Sequence, residues 1–429
     1  MPITRRHFLK TAAAVGAAAS IPGYAQHIAE TSSSLRIKGI ETLAVNVPEE
    51  AEAGSMWFFV KLLTTRPGLV GYGEIYTLGV PFGPATLDAM VKDFGGKLAI
   101  GADPYQVEAL FLRGYDYGYS HHPDFIQMGI ISGLEMAFWD IIGKDLNKPV
   151  FALLGGALRD KIRTYTYLSG GTTTPNVRHL WRDPKAAAEV ATQLVNEGYT
   201  AVKIDPVLGY SVSQATTEYR MFHPIQESMQ GLDSSEQVIG AIRKAVGNKC
   251  DILIGTHGQF TAAGAIRFAK RLEQFDPLWL EEPVPPDNVT EMAMVARGTS
   301  IPICTGERLT TKYEFAGLIE HKAAAVLNFD IGRVGGILES KKIAAMADAN
   351  YLQISPHLYG GPLIAAASLQ LDACCSNFLI QECIGKFGGM HAELLKEPIN
   401  WNKGFAIPST RPGLGYELNE EAARKYKFA

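Results

Sequence analysis

The sequence has few of the features that mark whole classes of proteins. Its 429 residues include only five cysteines and no CxxC pair, so neither a zinc ribbon nor a dithiol redox motif is indicated. A formal net charge of -4, without any long run of Lys and Arg, excludes nucleic acid as an expected partner. No GxGxxG fingerprint follows a predicted strand, which disfavours a dinucleotide-binding sheet. Beyond the N-terminus no apolar run reaches the roughly 18 residues of a membrane span.

The N-terminal region differs from the rest of the chain. Its segment TRRHFLK places Arg5 and Arg6 before a weakly apolar stretch rich in Ala and Gly, which ends near Ala25. This pattern is typical of a twin-arginine export signal. We therefore assign residues 1–26 to a signal peptide and expect a periplasmic protein.

The remaining sequence divides into parts with different patterns. Strand-like runs precede a helical pattern in GIISGLEMAFWDIIGKDL, so residues 33–158 are expected to form an α+β domain. From residue 159 to 388, short apolar runs alternate with helical segments, which predicts repeated βα units. An insertion is expected in the second βα loop, around residues 209–231. Residues 389–429 are expected to pack back on the first domain.

The apolar runs of the second part reach polar residues about every 25 positions. These run ends are Gly255 or His257, Glu281, Glu307, Asp330, His357 and Glu382. Such a period predicts a (β/α) barrel, in which catalytic groups collect at the C-terminal ends of the strands. The sequence therefore predicts one shared site at the barrel mouth.

Two successive strand ends carry carboxylates. Glu281 and Glu307 are expected to lie close together at the mouth, where two like charges require a cation or a shared proton. Hard oxygen ligands favour Mg²⁺. The alternative is that these acids cap helices or pair with lysines on the rim.

The next strand ends combine acids with imidazole. A carboxylate such as Asp330 fixes the tautomer of a neighbouring His357 and raises its basicity, which suits a general base. Glu382 would reach the same mouth. Lys203 would either neutralise a substrate carboxylate or balance the local charge. His257 would be a second acid or base, or a histidine bonded to its own loop.

Three long motifs resemble one known family. The segments GLEMAFWDIIGKDLNKPVFALLGGALRDKI, LWLEEPVPPDN and FDIGRVGGILESKKIA are similar, in order and spacing, to the enolase superfamily in its mandelate racemase-like branch. Within that branch the sequence resembles the acid-sugar dehydratases typified by galactonate dehydratase. The resemblance implies an α+β capping domain plus an α/β modified TIM barrel, (β/α)7β. It also implies Mg²⁺-assisted removal of the proton α to a carboxylate.

The resemblance assigns roles to the strand-end residues. Glu281 and Glu307 match the family's second and third metal ligands. The pair of Asp330 and His357 matches its base. Glu382 matches the acid that hydrogen-bonds the enolate oxygen.

Two positions depart from the family pattern. Lys203 matches the first lysine of a KxK motif, but Asp205 replaces the second, which disfavours a racemase with two bases. His257 matches the histidine that protonates the departing hydroxyl, whereas Gly255 replaces the aspartate that is the first metal ligand. We predict that Asp205 takes over this role, directly or through a water, with His257 as the fallback ligand. The alternative is that Asp205 pairs with Lys203 and the metal site is weak or empty.

The sequence thus predicts a Mg²⁺-dependent dehydratase of an aldonic or aldaric acid. His357 would abstract the α-proton, and His257 would protonate the β-hydroxyl as it leaves. The alternatives are an epimerase or lactone cycloisomerase on sugar acids, or a catalytically silent sugar-acid binding protein. A homo-oligomer is expected, and loops at residues 53–57, 81–84 and 113–122 are candidate lids over the mouth.

Overall fold

The structure, a computed structural model, describes most of the chain after the signal segment. The described residues are 33–48, 54–117, 121, 124–168, 182–207, 224 and 226–428. The signal segment 1–26 and most of the insertion expected around 209–231 lie outside the described residues.

The described residues form thirteen strands and fifteen α-helices. The strands are β1 Ile37–Asn46, β2 Met56–Thr64, β3 Val70–Ile75, β4 Ile162–Tyr167, β5 Ala201–Ile204, β6 Asp251–Gly255, β7 Trp279–Glu281, β8 Ile303–Thr305, β9 Val326–Leu327, β10 Gln353–Ile354, β11 Gln381–Glu382, β12 Asn400–Asn402 and β13 Phe405–Ile407. The helices are α1 Pro84–Met90, α2 Gly96–Ala99, α3 Val107–Tyr115, α4 Phe125–Asp145, α5 Val150–Leu153, α6 Pro184–Glu197, α7 Met229–Val246, α8 Ala262–Leu272, α9 Val289–Gly298, α10 Thr311–Glu320, α11 Ile331–Val334, α12 Ile337–Asp348, α13 Pro362–Cys374, α14 Met390–Glu393 and α15 Glu420–Lys425. A π-helical turn covers Val91–Gly95, and 3₁₀ turns cover Gly247–Lys249, Glu273–Phe275 and Gly385–Phe387.

The N-terminal part is an antiparallel sheet covered by helix α4. Strands β1, β2 and β3 pair in that order. A Cβ at Gly71 or Gly73 would lie 2.2 Å or 1.9 Å from a carbonyl oxygen of α4, so the two glycines let the helix approach β3 closely. Among the described helices only Phe125–Asp145 is long and apolar enough to cross a membrane, and 78% of its most apolar window is buried inside the protein. It is therefore the central packing helix of this domain.

The C-terminal part is a closed barrel. Strands β4 to β10 pair in parallel in chain order, and β11 pairs with β4. A parallel bridge from Ile354 to Phe378 joins β10 to the segment that leads into β11. Seven longer helices, α6 to α10, α12 and α13, lie between the eight strands. The expected (β/α)7β barrel is confirmed.

The barrel strands bury both faces, as parallel strands covered by helices do. Leu253 and Trp279 belong to an inner cluster that fills the barrel. Their neighbours Ile252, Ile254 and Leu280 face the outer helices in the main core. This alternation explains why the strands appear in the sequence as continuous apolar runs.

Three buried acids of the N-terminal domain hold backbone amides in the rest of the chain. Glu74 accepts hydrogen bonds from Gly361 N, Leu363 N and Ile364 N at the start of α13, at 2.5, 3.0 and 3.2 Å. Glu135 accepts from Ile337 N and Leu338 N at the start of α12, at 2.7 and 2.8 Å. Asp140 accepts from Leu414 N at 3.0 Å. The amides at a helix N-terminus have no partner within the helix, and Glu74 and Glu135 supply the acceptors, so these two side chains fix the domain against the barrel.

The C-terminal segment contacts both domains. Strand β13 pairs antiparallel with the start of β4 and forms a hairpin with β12. Further on, Lys427 bridges to Val45 of β1. Glu420 Oε1 lies 2.8 Å from Lys61 Nζ and accepts a hydrogen bond from the hydroxyl of Tyr72. The chain after residue 389 therefore lies on the barrel first and on the N-terminal sheet afterwards.

Candidate active site

The mouth of the barrel gathers all eight residues that the sequence analysis selected. Lys203 and Glu281 lie within their strands, whereas Glu307 and His357 follow the ends of β8 and β10 by two and three residues. Asp330 caps α11 and accepts a hydrogen bond from Gly332 N at 2.8 Å. All eight side chains except that of His257 are buried.

A lysine and two acids form the floor of the mouth. Lys203 Nζ lies 2.6 Å from Glu281 Oε1 and 3.6 Å from Glu382 Oε1. Glu281 Oε2 also accepts a hydrogen bond from the indole of Trp279 at 3.0 Å. Burial raises the pKa of Glu281 to about 7, although Lys203 opposes this shift. In this structure Lys203 therefore balances the charge of the carboxylates.

His357 is surrounded by three carboxylates. Its Nδ1 lies 2.8 Å from Asp330 Oδ2, and its Nε2 lies 3.5 Å from Glu307 Oε2 and 3.8 Å from Glu382 Oε2. Glu382 Oε2 in turn accepts from Leu358 N at 2.9 Å. Burial disfavours the charged imidazole, but Glu307 and Glu382 outweigh it and raise the pKa of His357 to about 9. The Asp330 contact leaves Nε2 facing the mouth.

His257 forms a second acid–imidazole pair. Its Nδ1 lies 2.9 Å from Asp205 Oδ2, and its side chain is 37% exposed. The backbone of His257 has a positive φ of 49°, which few residues adopt and which reflects the tight turn after β6. Burial lowers the pKa, but Asp205 overcomes this effect and raises the pKa of His257 to about 10.

Asp205 fills the space beside Gly255. Strands β5 and β6 pair with Ile204 opposite Ile254, so Asp205 and Gly255 follow side by side. A Cβ at Gly255 would lie only 2.1 Å from Asp205 Oδ1. The carboxylate of Asp205 therefore occupies the place where a longer side chain at 255 would begin. Its role as a metal ligand stays a prediction.

The oxygen donors at the mouth have the chemistry that Mg²⁺ requires. Glu307 Oε2 is buried and has no hydrogen-bond partner among the described residues. Burial opposes its ionisation, but the two imidazoles outweigh that cost and lower the pKa of Glu307 well below its usual range. Within the described part of the chain, no three His, Cys, Asp or Glu side chains are already arranged around one metal position. A cation would have to separate Glu281 from Lys203 to gain three carboxylates.

Two further residues, Tyr76 and Arg333, lie at the mouth and were not predicted from the sequence. The ring of Tyr76, just after β3, lies 6.1 Å from the ring of His357. The guanidinium of Arg333 lies 4.6 Å from the Tyr76 ring, and its Nη2 donates to Leu78 O at 3.1 Å. Arg333 follows Asp330 by three residues in the motif FDIGRVGGILESKKIA, and this position next to a predicted site residue could have identified it. No sequence pattern could have identified Tyr76, because its contact with His357 joins parts of the chain that are far apart in sequence.

The candidate lids contact the barrel to different extents. Gly54 lies near the ring of Tyr359, two residues after His357. Residues 81–84 follow Leu78, which is bonded to Arg333. Tyr115 stacks on Tyr313 of the barrel with ring centroids 5.3 Å apart. Residue 53 and residues 118–120 and 122 of these segments lie outside the described residues.

Family models match both domains. Residues 185–422 match the enolase C-terminal domain-like family, and residues 52–155 match the mandelate racemase/muconate lactonizing enzyme N-terminal domain. A D-galactonate dehydratase from Klebsiella pneumoniae (strain 342) is 33% identical over 371 residues, which are 85% of this chain and 89% of that protein.

Solved structures agree with this match. One from Labrenzia alexandrii DFL-11, assigned to the mandelate racemase/muconate lactonizing enzymes, is 48% identical with a TM-score of 0.85 and covers 92% of this chain and 97% of its own. The mandelate racemase/muconate lactonizing enzyme from Sulfitobacter sp is 42% identical with a TM-score of 0.85, over 92% and 96% of the two chains.

A capping domain over a (β/α)7β barrel, with acid–imidazole pairs at the mouth, defines an enzyme with an acid–base site. The chain belongs to the enolase superfamily, in its mandelate racemase/muconate lactonizing branch. Residues 2–22 match the twin-arginine translocation signal, so the expected export to the periplasm is confirmed.

Proposed function

We propose that the protein is a dehydratase of aldonic or aldaric acids, which removes the α-proton and the β-hydroxyl as water. Its similarity to a D-galactonate dehydratase over most of both chains supports the reaction class. The observation that carries the proposal is the presence of two imidazoles, each paired with its own carboxylate. Elimination of water needs one group to accept a proton and another to donate one.

His357 is the proposed base. Asp330 binds its Nδ1, so Nε2 faces the mouth. The pKa of about 9 keeps the imidazole protonated at neutral pH while Glu307 is unneutralised, so Nε2 would accept the proton from the α-carbon once a cation on Glu307 lowers that pKa. Such a proton is weakly acidic, and the negative charge that forms must be stabilised as the proton leaves. Glu382, 3.8 Å from Nε2 and held by the amide of Leu358, is the proposed donor to the enolate oxygen, a role that requires its carboxylic acid form.

His257 is the proposed acid. Its contact with Asp205 and its pKa of about 10 keep the imidazole protonated at neutral pH. The side chain is partly exposed, so a substrate hydroxyl can reach it. Protonation of that hydroxyl converts it into water, which is a far better leaving group than hydroxide.

The residues that would hold Mg²⁺ are Asp205, Glu281 and Glu307. Three carboxylates, with water or substrate oxygens in the remaining positions, meet the preference of this ion for about six oxygen ligands. When bound, the ion supplies positive charge next to the substrate carboxylate and so stabilises the enediolate. Lys203, now 2.6 Å from Glu281, would have to give up that contact and would keep Glu382, 3.6 Å away, as its partner.

A panel of sugar acids with Mg²⁺ tests this proposal. A substrate is expected to give a 2-keto-3-deoxy acid, detected with a carbonyl reagent, at a rate with a bell-shaped pH profile. In D₂O, α-hydrogen exchange without loss of water would instead indicate an epimerase or cycloisomerase. Thermal stabilisation by a sugar acid without turnover would indicate a binding protein. Either result would refute the dehydratase.

A further inference from the structure

Two adjacent cysteines lie next to a lysine at the end of α13, away from the mouth. The helix ends at Cys374, and Cys375 follows it. Lys341 Nζ, from α12, lies 3.7 Å from Cys374 Sγ and 3.6 Å from Cys375 Sγ, and donates to Cys374 O at 2.7 Å. The mouth flanks the other end of α13. A helix of this length spans roughly 20 Å, so the cluster is separate from the active site.

The electrostatics of Cys374 differ from those of the other cysteines, whereas the hydrogen bond to Cys374 and burial raise the pKa of Cys375. A hydrogen bond from Cys375 lowers the pKa of Cys374 to about 7 against the effect of burial, and Lys341 adds to this shift. Burial raises the pKa of Cys250 and of Cys383 to about 12. A thiolate stabilised by a thiol and an ammonium is the reactive form of cysteine.

A buried acid completes the cluster. Asp372 is fully buried, and neither of its carboxyl oxygens has a hydrogen-bond partner among the described residues. Burial raises the pKa of Asp372 well above its usual range, although Arg159 opposes this shift. Asp372 also contributes to the raised pKa of the Cys375 thiol. Arg159 also donates to Cys375 O at 2.7 Å. The pair therefore has the polar groups of Lys341 and Arg159 beside it, although Cys375 also belongs to the main hydrophobic core.

The chain geometry favours chelation over a disulfide. Adjacent Cα atoms across a trans peptide are about 3.8 Å apart, whereas disulfides usually join Cα atoms about 4.4–6.8 Å apart. One ion bound by both sulfurs does not require an S–S bond. The twin-arginine signal also matters, because that route generally carries folded proteins, so the thiols are buried before they meet an oxidising compartment.

We propose that Cys374 and Cys375 form a bidentate thiol site for a trivalent arsenical. The two thiols form two As–S bonds and transfer their protons to the arsenic-bound oxygen, which leaves as water. Arsenic remains trivalent, so the step needs no oxidant or reductant. The site does not depend on the proposed dehydratase reaction.

Phenylarsine oxide is the probe for this site. The native full-length protein is expected to bind one equivalent at pH 7, measured by mass spectrometry under non-denaturing conditions after an incubation long enough for local opening to expose the buried thiols. Cys374→Ser and Cys375→Ser are each expected to lose that binding, whereas the matched control Cys250→Ser keeps it. No binding by the native protein, or binding that survives in either single variant, would overturn the proposal.

A second measurement applies even where a cysteine variant does not fold. Lys341→Met removes the ammonium, and Lys341→Arg keeps the charge. Lys341→Met leaves the hydrogen bond from Cys375 in place, so the pKa of Cys374 is expected to rise only part of the way to its ordinary value. The thiolate fraction then falls while the intrinsic nucleophilicity of the thiolate rises, for a net loss in rate of up to roughly fivefold. Alkylation of Cys374 by iodoacetamide at pH 7 is therefore expected to slow by up to that factor in Lys341→Met and to stay near the parent rate in Lys341→Arg. Equal rates in parent and Lys341→Met would contradict the activated pair.

Discussion

Removal of the Asp205 carboxylate tests whether the metal ligand has moved from β6 to β5. Asp205 Oδ1 lies 2.1 Å from the position of a Cβ on Gly255, so it occupies the space of the absent side chain. A group that only orients a metal ligand is worth about 10- to 100-fold in metal affinity. Loss of a direct ligand is therefore expected to weaken Mg²⁺ binding by at least roughly 100-fold, or ~2.8 kcal/mol.

Calorimetric titration with Mg²⁺ in the absence of substrate measures this effect apart from catalysis. Asp205→Ala also removes the carboxylate partner of His257, which would impair catalysis. A titration that measures only Mg²⁺ affinity is not affected by that catalytic loss and so reports the loss of the metal ligand. The matched control is Asp251→Asn at the start of β6, where the acid pairs with Arg163 at 2.6 Å. That variant loses the same charge at the opposite end of the strand, so its affinity is expected to stay at the parent value.

A transfer of the carboxylate provides the stricter test. The double variant Asp205→Ala/Gly255→Asp places an acid on β6 in the space that Asp205 leaves. Its Mg²⁺ affinity is expected to recover to within about tenfold of the parent. Unchanged affinity in Asp205→Ala would refute the relocation, and failure of the double variant to recover would refute the shared position.

Three further outcomes are expected. His357→Asn should abolish exchange of the substrate α-proton while circular dichroism stays unchanged; exchange at the parent rate would exclude His357 as the base. In the metal-free protein the pKa of His357 should be about 9 by NMR, and Mg²⁺ should lower it by neutralising Glu307. Because this pKa lies above the unfolded value of about 6.5, the associated stability is present below pH 6.5 and is lost as the pH rises through 9. Metal-free parent should therefore lose more stability over that interval than His357→Asn, and equal losses would contradict the shift. Glu135→Ala removes acceptors for two amides and an indole, so urea unfolding should show a loss of about 3 kcal/mol, with a smaller loss in Glu135→Gln.

The residue spacing predicted the barrel and the shared mouth, because one period belongs to one βα unit. It placed the strand ends too late at Glu307, Asp330 and His357, since the chain leaves the sheet two or three residues before each side chain turns inward. The partner of Asp205 was also not predictable. Lys203 and His257 both offer it a positive charge, and the choice depends on distances that only the folded backbone determines.

The contacts between the domains were beyond sequence reasoning for a related reason. Glu135 lies in the predominantly apolar first half of α4, and its carboxylate accepts hydrogen bonds from amides about two hundred residues later. Glu74 is likewise bonded to the start of α13. A carboxylate with no local partner is ordinarily read as a surface residue, because its burial is favourable only once the helix N-terminus is in place.

Contacts made by the last residues of the chain determine when the fold can be completed during synthesis. The barrel closes only when β11 pairs with β4. The other edge of β4 pairs with β13, which begins at Phe405, and Asp140 accepts its hydrogen bond from Leu414 N. The ion pair of Lys61 with Glu420 forms later still, because Glu420 lies near the C-terminus. The N-terminal domain is translated first but cannot complete its contacts until nearly the whole polypeptide has left the ribosome. Completion of the fold is thus postponed to the interval between release from the ribosome and export by the twin-arginine route.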